Sequence, residues 1–301
     1  MLAITGGTGF VGGRVLALAP EPWRALTRRP REGTGWIAGD LADTAALARL
    51  CEGASAVIHV AGVVNAADRA GFMAGNVAGT ANIIAAARDA GVRRFVHVSS
   101  LAAREPGLSD YGASKAGAEA VVAASGLDWV MVRPPAVHGP GDREMLPLFR
   151  LAAAGWGLAP GGPGGRLSLI HADDLARALL ALAAGGPSGE ILELDDGQGD
   201  AGGYTHAGFA TLAGAACGQA RVRTVRVPAG ALAAAAGLAT LAASAVGRLP
   251  KLSRDRARYM VHPDWVARGG NARLAGIWAP QLPGAAGLAD TVRGYCEKGW
   301  L

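Results

Sequence analysis

Lysine is nearly missing from this chain of 301 residues: Lys115, Lys251 and Lys298 are the only three among 29 basic side chains. Arginine serves wherever a positive charge suffices, so a lysine that persists points to chemistry suited to an ammonium and not to a guanidinium. Cysteine is as scarce, and Cys51, Cys217 and Cys296 show no CxxC spacing. That excludes a disulfide framework and a structural zinc site, and fits a reducing, cytoplasmic setting. No group of His, Cys, Asp and Glu has metal-ligand spacing, so no metal is expected. The net charge of +5 comes from arginines spread along the chain, with no basic run interleaved with aromatics. A nucleic-acid partner is therefore not expected, and small anionic molecules are the natural ligands. No basic segment followed by an apolar one precedes the first strand pattern, so no cleaved leader is indicated. No internal repeat is visible.

What is present is organised around Thr5 to Gly12, read as TGGTGFVG. The short apolar run Leu2 to Ile4 precedes it, and a helical pattern through Val11, Val15, Leu16 and Leu18 follows. Strand, glycine turn and helix in that order form the cradle of a dinucleotide pyrophosphate. Gly6 permits the tight turn, Gly9 lets backbone N–H groups approach the phosphates, and Gly12 lets helix and strand pack closely. Further strands are predicted at Trp23 to Leu26, Trp36 to Ala38, Ala56 to Val60, Phe95 to Val98 and Trp129 to Val132. Helices fall between them, the longest at Met73 to Ala90 and Tyr111 to Ser125. Strands alternating with helices predict an α/β fold, a Rossmann-type doubly wound parallel sheet. The dinucleotide-binding domain is expected over residues 1–185, with 134–165 partly contributing to a smaller substrate-binding lobe that takes up 186–301. A single strand is predicted at Leu167 to His171 and a helix at Asp173 to Ala184.

The second strand ends at Thr27, Arg28 and Arg29, with no acid where one would hold the 2′-hydroxyl of NAD. Arginines there suit a 2′-phosphate, so NADP is favoured over NAD. Tyr111 and Lys115 stand four apart on a predicted helix, hence on one face. A phenol titrates near pH ~10 in water, too high for a base at neutral pH, and a neighbouring ammonium favours its ionised form. Ser100, at the edge of the preceding strand, can hydrogen-bond the same substrate oxygen. The three together would polarise a carbonyl or deprotonate an alcohol while a nicotinamide moves a hydride. Pro228 to Val246 carries no charge and is flanked by Arg226 and Arg248. Its alanine-rich composition makes a weak spanning helix; a buried or substrate-facing helix is expected, with peripheral membrane contact as the alternative.

Through TGGTGFVG, GDL at Gly39 to Leu41, HVAG at His59 to Gly62, NVAGTANII from Asn76, HVSS ending at Ser100, YGASK at Tyr111 to Lys115, RPPAVHGPGD from Arg133 and IHADDLA from Ile170, the chain resembles the extended short-chain dehydrogenases/reductases. That branch includes NAD-dependent epimerases and dehydratases, 3β-hydroxysteroid dehydrogenases and dihydroflavonol reductases. The resemblance implies Tyr111 as catalytic acid/base, Lys115 as its partner and holder of the nicotinamide ribose, and Ser100, ahead of Ser99, as the substrate-orienting hydroxyl. It also implies cofactor contacts from Gly6, Thr8, Gly9, Phe10, Val11, Gly12, Arg28, Arg29, Asp40, Leu41, Ala61, Gly62 and Pro134. His138 and Arg143 are expected, with Ser100, to meet the substrate. Asn76 is either a helix-packing amide or a direct participant, and Asp173 and Asp174 cap the following helix. A homodimer is implied by the family alone.

Two departures bear on the substrate. Only ten residues separate Ser100 from Tyr111, fewer than in sugar-nucleotide epimerases, and Leu167 stands where those enzymes carry an arginine that grips the substrate diphosphate. The leading expectation is an NAD(P)-dependent reductase or dehydrogenase acting on a secondary alcohol or ketone of a fairly apolar small molecule. The alternatives are a sugar-nucleotide epimerase or dehydratase, and a non-catalytic NADP-binding scaffold subunit.

Overall fold

Six short apolar runs, Leu2–Thr5 (β1), Trp23–Thr27 (β2), Trp36–Ala38 (β3), Ala56–His59 (β4), Arg94–Val98 (β5) and Asp128–Val132 (β6), join a seventh strand at Glu190–Leu192 in one sheet. The spatial order is Glu190–Leu192, β6, β5, β4, β1, β2, β3, and every pairing is parallel. All residues of β4 and β5 are buried, as expected of a parallel sheet covered on both faces, whose strands read as continuous apolar runs. The order reverses between β1 and β4, and ligands of such sheets collect beyond the strand C-termini at that point.

The structure is a computed structural model and describes residues 1–162, 164–245, 247, 250 and 252–301. It divides into two units. The first holds Met1–Pro134, Ala172–Leu194 and Gly270–Ala279; the second holds Pro135–His171, Asp195–Gly269 and Pro280–Leu301. The chain leaves the first unit after Pro134, returns for the helix Ala172–Ala184 and the last strand, and returns again at Gly270. The late returns have local causes. Trp278 donates its indole N–H to the Asp174 carbonyl at 3.0 Å, and Arg273 pairs with Glu190 through both carboxylate oxygens.

In the first unit, helix α1 (Phe10–Leu18) follows the glycine turn, and α2 (Thr44–Cys51) is capped by the Asp43 carboxylate accepting from Ala46 N–H. Leu47, Leu50, Val57, Ile83, Phe95 and Met131 form the main apolar core. The helix predicted from Met73 begins earlier and is not regular. It runs as α3 (Arg69–Phe72), a π-helical segment Met73–Ala78, and α4 (Gly79–Asp89). By length and composition alone this run of 21 residues could cross a membrane, but Ile83, Ile84 and Ala87 lie in the core of the unit. Helix α5 (Asp110–Ala123) starts at Ser109, whose hydroxyl accepts from Gly112 N–H.

In the second unit, Met145, Phe149, Leu169, Phe209, Leu288, Val292 and Tyr295 make the core. Short strands pair as Ala136–His138 with Leu169–His171, Trp156–Pro160 with Arg223–Val227, and Arg166–Leu167 with both Tyr204–Thr205 and Asp264–Trp265. The strand predicted over Leu167 to His171 is thus two strands in different sheets. The break falls at Ser168, whose hydroxyl turns to the Asp195 carboxylate at 2.9 Å. The apolar stretch beginning at Pro228 is a helix, Ala229–Ala245; Val246, Arg248 and Lys251 lie outside the described residues.

Candidate active site

The glycine turn is fixed by close approach. Gly6 has φ +76°, and a Cβ there would sit 2.6 Å from the Ala61 amide nitrogen; a Cβ on Gly12 would sit 2.1 Å from the Gly6 carbonyl oxygen. Gly9 N–H closes the turn onto the Gly6 carbonyl at 2.9 Å. Gly9 is also the N-cap of α1 and supplies no side-chain cap, so the positive end of the helix opens at Thr8 to Val11 with Thr8 and Gly9 exposed. Exposed backbone donors at a helix N-terminus suit a pyrophosphate.

Ala61 is held by a buried chain of hydrogen bonds that fixes a tautomer. Ala61 N–H donates to Thr5 Oγ1 at 3.2 Å, and the Thr80 hydroxyl donates to the Asn76 carbonyl at 2.6 Å. Thr80 Oγ1 must therefore accept from His59 Nε2–H at 2.9 Å, and His59 Nδ1 accepts the Thr5 hydroxyl proton at 2.7 Å. The imidazole is neutral: burial, with the Lys115 charge in support, pushes its pKa down to about 3. His97, opposite His59 in the sheet register and stacked on it at 5.3 Å, is held well below its ordinary value by burial, then by Lys115 and His59.

Asn76, in the π-helical segment, joins the next layer. Its Oδ1 accepts from Val63 N–H at 2.6 Å, and its Nδ2 donates to the Val63 carbonyl at 3.0 Å and to Ser114 Oγ at 2.8 Å. Ser114 in turn donates to the Tyr111 carbonyl at 2.8 Å. The amide therefore ties the turn after β4 to helix α5, which is its part as a packing residue. Gly62 lies inside this arrangement, where a Cβ would meet Asn76 Oδ1 at 3.0 Å and Lys115 Nζ at 3.8 Å.

Lys115 is buried and donates to the Val98 carbonyl at 2.8 Å. Burial pulls its pKa from 10.5 to about 8, and the Glu119 carboxylate one turn further on opposes that fall. Tyr111 is half-buried one turn before Lys115, its ring 6.1 Å from that of Phe72. Ser100, 9% exposed, stands two residues beyond Val98 and accepts from Ala102 N–H at 3.2 Å, leaving its own proton to donate. Ser99 points elsewhere and donates to Glu119.

That glutamate was not marked by the sequence. Arg133 grips it with two hydrogen bonds, at 2.8 and 2.6 Å, and also faces Glu193, which Arg104 reaches at 3.3 Å. The only signal in the sequence was its place one turn past Lys115. Its partners are Arg133, just beyond β6, and Ser99, just beyond β5, and their meeting is a tertiary event.

The remaining candidates are spread more widely. Arg28 and Arg29 are exposed at the C-terminal end of β2, and among the described residues neither guanidinium has a side-chain partner. Asp40 is exposed and accepts from Ala42 N–H at 2.8 Å, while Leu41 packs where a Cβ on Gly79 would fall. The Pro134 carbonyl accepts from Leu101 N–H at 3.1 Å. Asp173 pairs with Arg14 of α1, and Asp174 with Arg177.

His138 and Arg143 belong to the second unit. His138 is 0% exposed, donates through Nδ1 to Thr291 Oγ1 at 2.8 Å, and lies edge-on to His171; burial holds its pKa at about 3. What holds it is the unit's own core. Arg143 lies over the Trp300 ring at 4.8 Å. Among the described residues no cluster of His, Cys, Asp or Glu could hold a metal ion.

The sequence profile described as "NAD dependent epimerase/dehydratase family" matches residues 2–194. The chain is similar to the ceramide reductase of Caulobacter vibrioides, 38% identical over 315 residues that span all of this chain and 96% of that protein. Among solved structures, the dTDP-glucose 4,6-dehydratase of Streptomyces venezuelae with NAD superposes with a TM-score of 0.71 at 25% identity, covering 100% of this chain and 98% of that one. The human epimerase family protein SDR39U1 with NADPH superposes at 0.73 and 20% identity, covering 97% and 99%. Proteins of this fold thus hold either nicotinamide cofactor.

Proposed function

We propose, from the premise that this chain belongs to the NAD-dependent epimerase/dehydratase family, that it uses NADPH to reduce the ketone of an oxidised ceramide, a long-chain lipid amide, to a secondary alcohol. The chain is an NAD(P)-dependent oxidoreductase of the extended short-chain type. The observation that carries the chemistry is the buried ammonium of Lys115, one turn from Tyr111 and against Gly62. The choice of lipid rests on the end-to-end likeness to a ceramide reductase.

A nicotinamide cofactor fits the residues present, because the glycine turn leaves Thr8 and Gly9 exposed at the uncapped N-terminus of α1, and Gly62, lacking a Cβ, leaves the backbone bare beside the Lys115 ammonium. When bound, it supplies the hydride. The chain's own residues do the rest. Ser100 donates a hydrogen bond to the substrate carbonyl oxygen and keeps its proton, Tyr111 delivers the one proton to that oxygen as charge grows on it, and Lys115 eases proton loss from the phenol and holds the ribose. Glu119, itself held by Arg133 and Ser99, keeps Lys115 more protonated than burial alone would allow.

The sugar-nucleotide alternative has little to grip a diphosphate at the place noted above. Leu167 has no charge, and the neighbouring Arg166 spends its guanidinium on the Gly202 and Gly203 carbonyls. The test is to incubate the enzyme with NADPH and either a detergent-dispersed ceramide ketone or dTDP-glucose, following absorbance and product mass. One NADPH consumed per lipid, with a mass gain of two hydrogens, is the expected result. Conversion of dTDP-glucose without net NADPH loss would overturn the proposal.

NADP preference is a finer proposal supported by Arg28 and Arg29, whose unpaired forks end β2 where the adenosine ribose of this fold lies. Replacing both by alanine is expected to weaken NADPH binding by about 10- to 100-fold, the worth of one or two charge-assisted hydrogen bonds, and to leave NADH binding nearly unchanged. Equal losses for the two cofactors in a fluorescence titration would show that these arginines do not read the 2′-phosphate.

A further inference from the structure

Within the second unit, the helix Ala229–Ala245 has 17 residues and no charge, yet much of it faces water. Leu238 and Leu241 are 69% and 70% exposed. Ala231, Ala234, Ala235 and Ala242 are also exposed, and this spacing makes one continuous apolar stripe. Ala236, on the other side, is fully buried. The strand that leads into the helix, Arg223–Val227, exposes Val225, and its partner strand exposes Trp156.

In the stretch of sequence that carries this helix, charge has one sign. Between Asp200 and Asp255 the sequence has no acidic residue, while it has Arg221, Arg223, Arg226, Arg248, Lys251 and Arg254. Of these, Arg221, Arg223, Arg226 and Arg254 are exposed and make no ion pair among the described residues. Arg254 lies beside the helix, where a Cβ on Gly237 would meet its guanidinium at 3.4 Å.

We propose that this face docks on the surface of an anionic lipid bilayer, with the leucine stripe at the level of the acyl chains and the arginines among the phosphates. An apolar helix bordered by unpaired arginines matches a surface that is apolar below and anionic above. A second copy of the chain fits less well, because a self-complementary contact would bring the same arginines against each other with no carboxylate between them. The proposal goes beyond the reductase reading and does not depend on it, since binding is measured without turnover.

The experiment is flotation of the full chain with vesicles of phosphatidylcholine containing 30% phosphatidylglycerol, and with phosphatidylcholine alone. Wild type is expected to float with the anionic vesicles, and at least tenfold less with neutral ones or at 0.5 M NaCl. Leu238→Glu with Leu241→Glu should lower anionic flotation at least tenfold while circular dichroism and NADPH binding match the parent. Should that variant fail to fold, Arg223→Glu with Arg226→Glu gives the same reading from the charged side. Wild type that stays with the soluble fraction overturns the proposal, as do folded variants that float like the parent. So does a wild-type dimer in sedimentation velocity that the leucine variant dissociates while flotation is absent, which would assign the face to a second copy.

Discussion

Tyr111→Phe is expected to lower ketone reduction by about 10²- to 10⁴-fold, the range associated with one positioned acid/base group, while NADPH affinity stays within about twofold. The substitution removes one oxygen and little else. The ring keeps its place beside Phe72, and the backbone carbonyl still accepts from Ser114, so helix α5 and the Asn76 bridge to Val63 are undisturbed. What disappears is the proton donor to the oxygen that gains charge as hydride arrives. Ser100 can still donate a hydrogen bond there, but its hydroxyl has no ammonium a turn away to ease ionisation. The measurement is steady-state NADPH oxidation beside a binding titration. Activity above a tenth of the parent's, with unchanged binding, would remove Tyr111 from the acid/base role.

Lys115→Met should cost turnover about 10²- to 10³-fold and yet make the cofactor-free protein more stable at pH 7. The two effects share one cause. Folding buries the ammonium, and its pKa falls from 10.5 to about 8. The folded state therefore binds fewer protons than the unfolded state between those values, and stability rises with pH across that window. Below pH 8 the penalty is fully present, on the order of 3 kcal/mol from the size of the shift. Methionine has a similar length and carries no charge, so it removes the penalty and loses the charge-assisted bond to the Val98 carbonyl, worth about 2 kcal/mol. Glu119 is not stranded by the change, because Arg133 and Ser99 still hold it. Thermal melts at pH 7 and pH 10 should show the variant above the parent at the lower pH and the gap closing at the higher. A variant that melts below the parent at both would contradict this account of Lys115.

The parts of the fold that were legible in the sequence are those whose cause is local. The glycine turn between β1 and α1 follows from residues within a dozen positions of each other, and so does the pairing of Tyr111 with Lys115 on one helix face. Alternating apolar strands and helices predict the doubly wound sheet, and the sheet is there with seven parallel strands. What could not be read depends on partners far away in the chain. Glu119 becomes a buried anion only because Arg133 arrives from β6 and Ser99 from the end of β5. The division of the chain into units follows from Trp278 and Arg273 fastening onto Asp174 and Glu190, about a hundred residues earlier, and no periodicity announces such a return. His59 reads as one residue of a motif; its neutral tautomer is dictated by Thr5 and Thr80 on either side.

The π-helical segment Met73–Ala78 has a consequence for how this chain can vary by inheritance. Such a turn accommodates one residue more than an α-helical turn between the same ends. Deleting a single codon there would leave a helix of better local geometry, and a reading frame intact. Because the ends are the same, Thr80, Ile83 and Ile84 would keep their faces, and the change would fall on Asn76 within the segment, whose amide holds Val63 and Ser114. A change of length is therefore felt at the segment itself, where the turn after β4 is tied to α5, and not in the core face that Ile83 and Ile84 present.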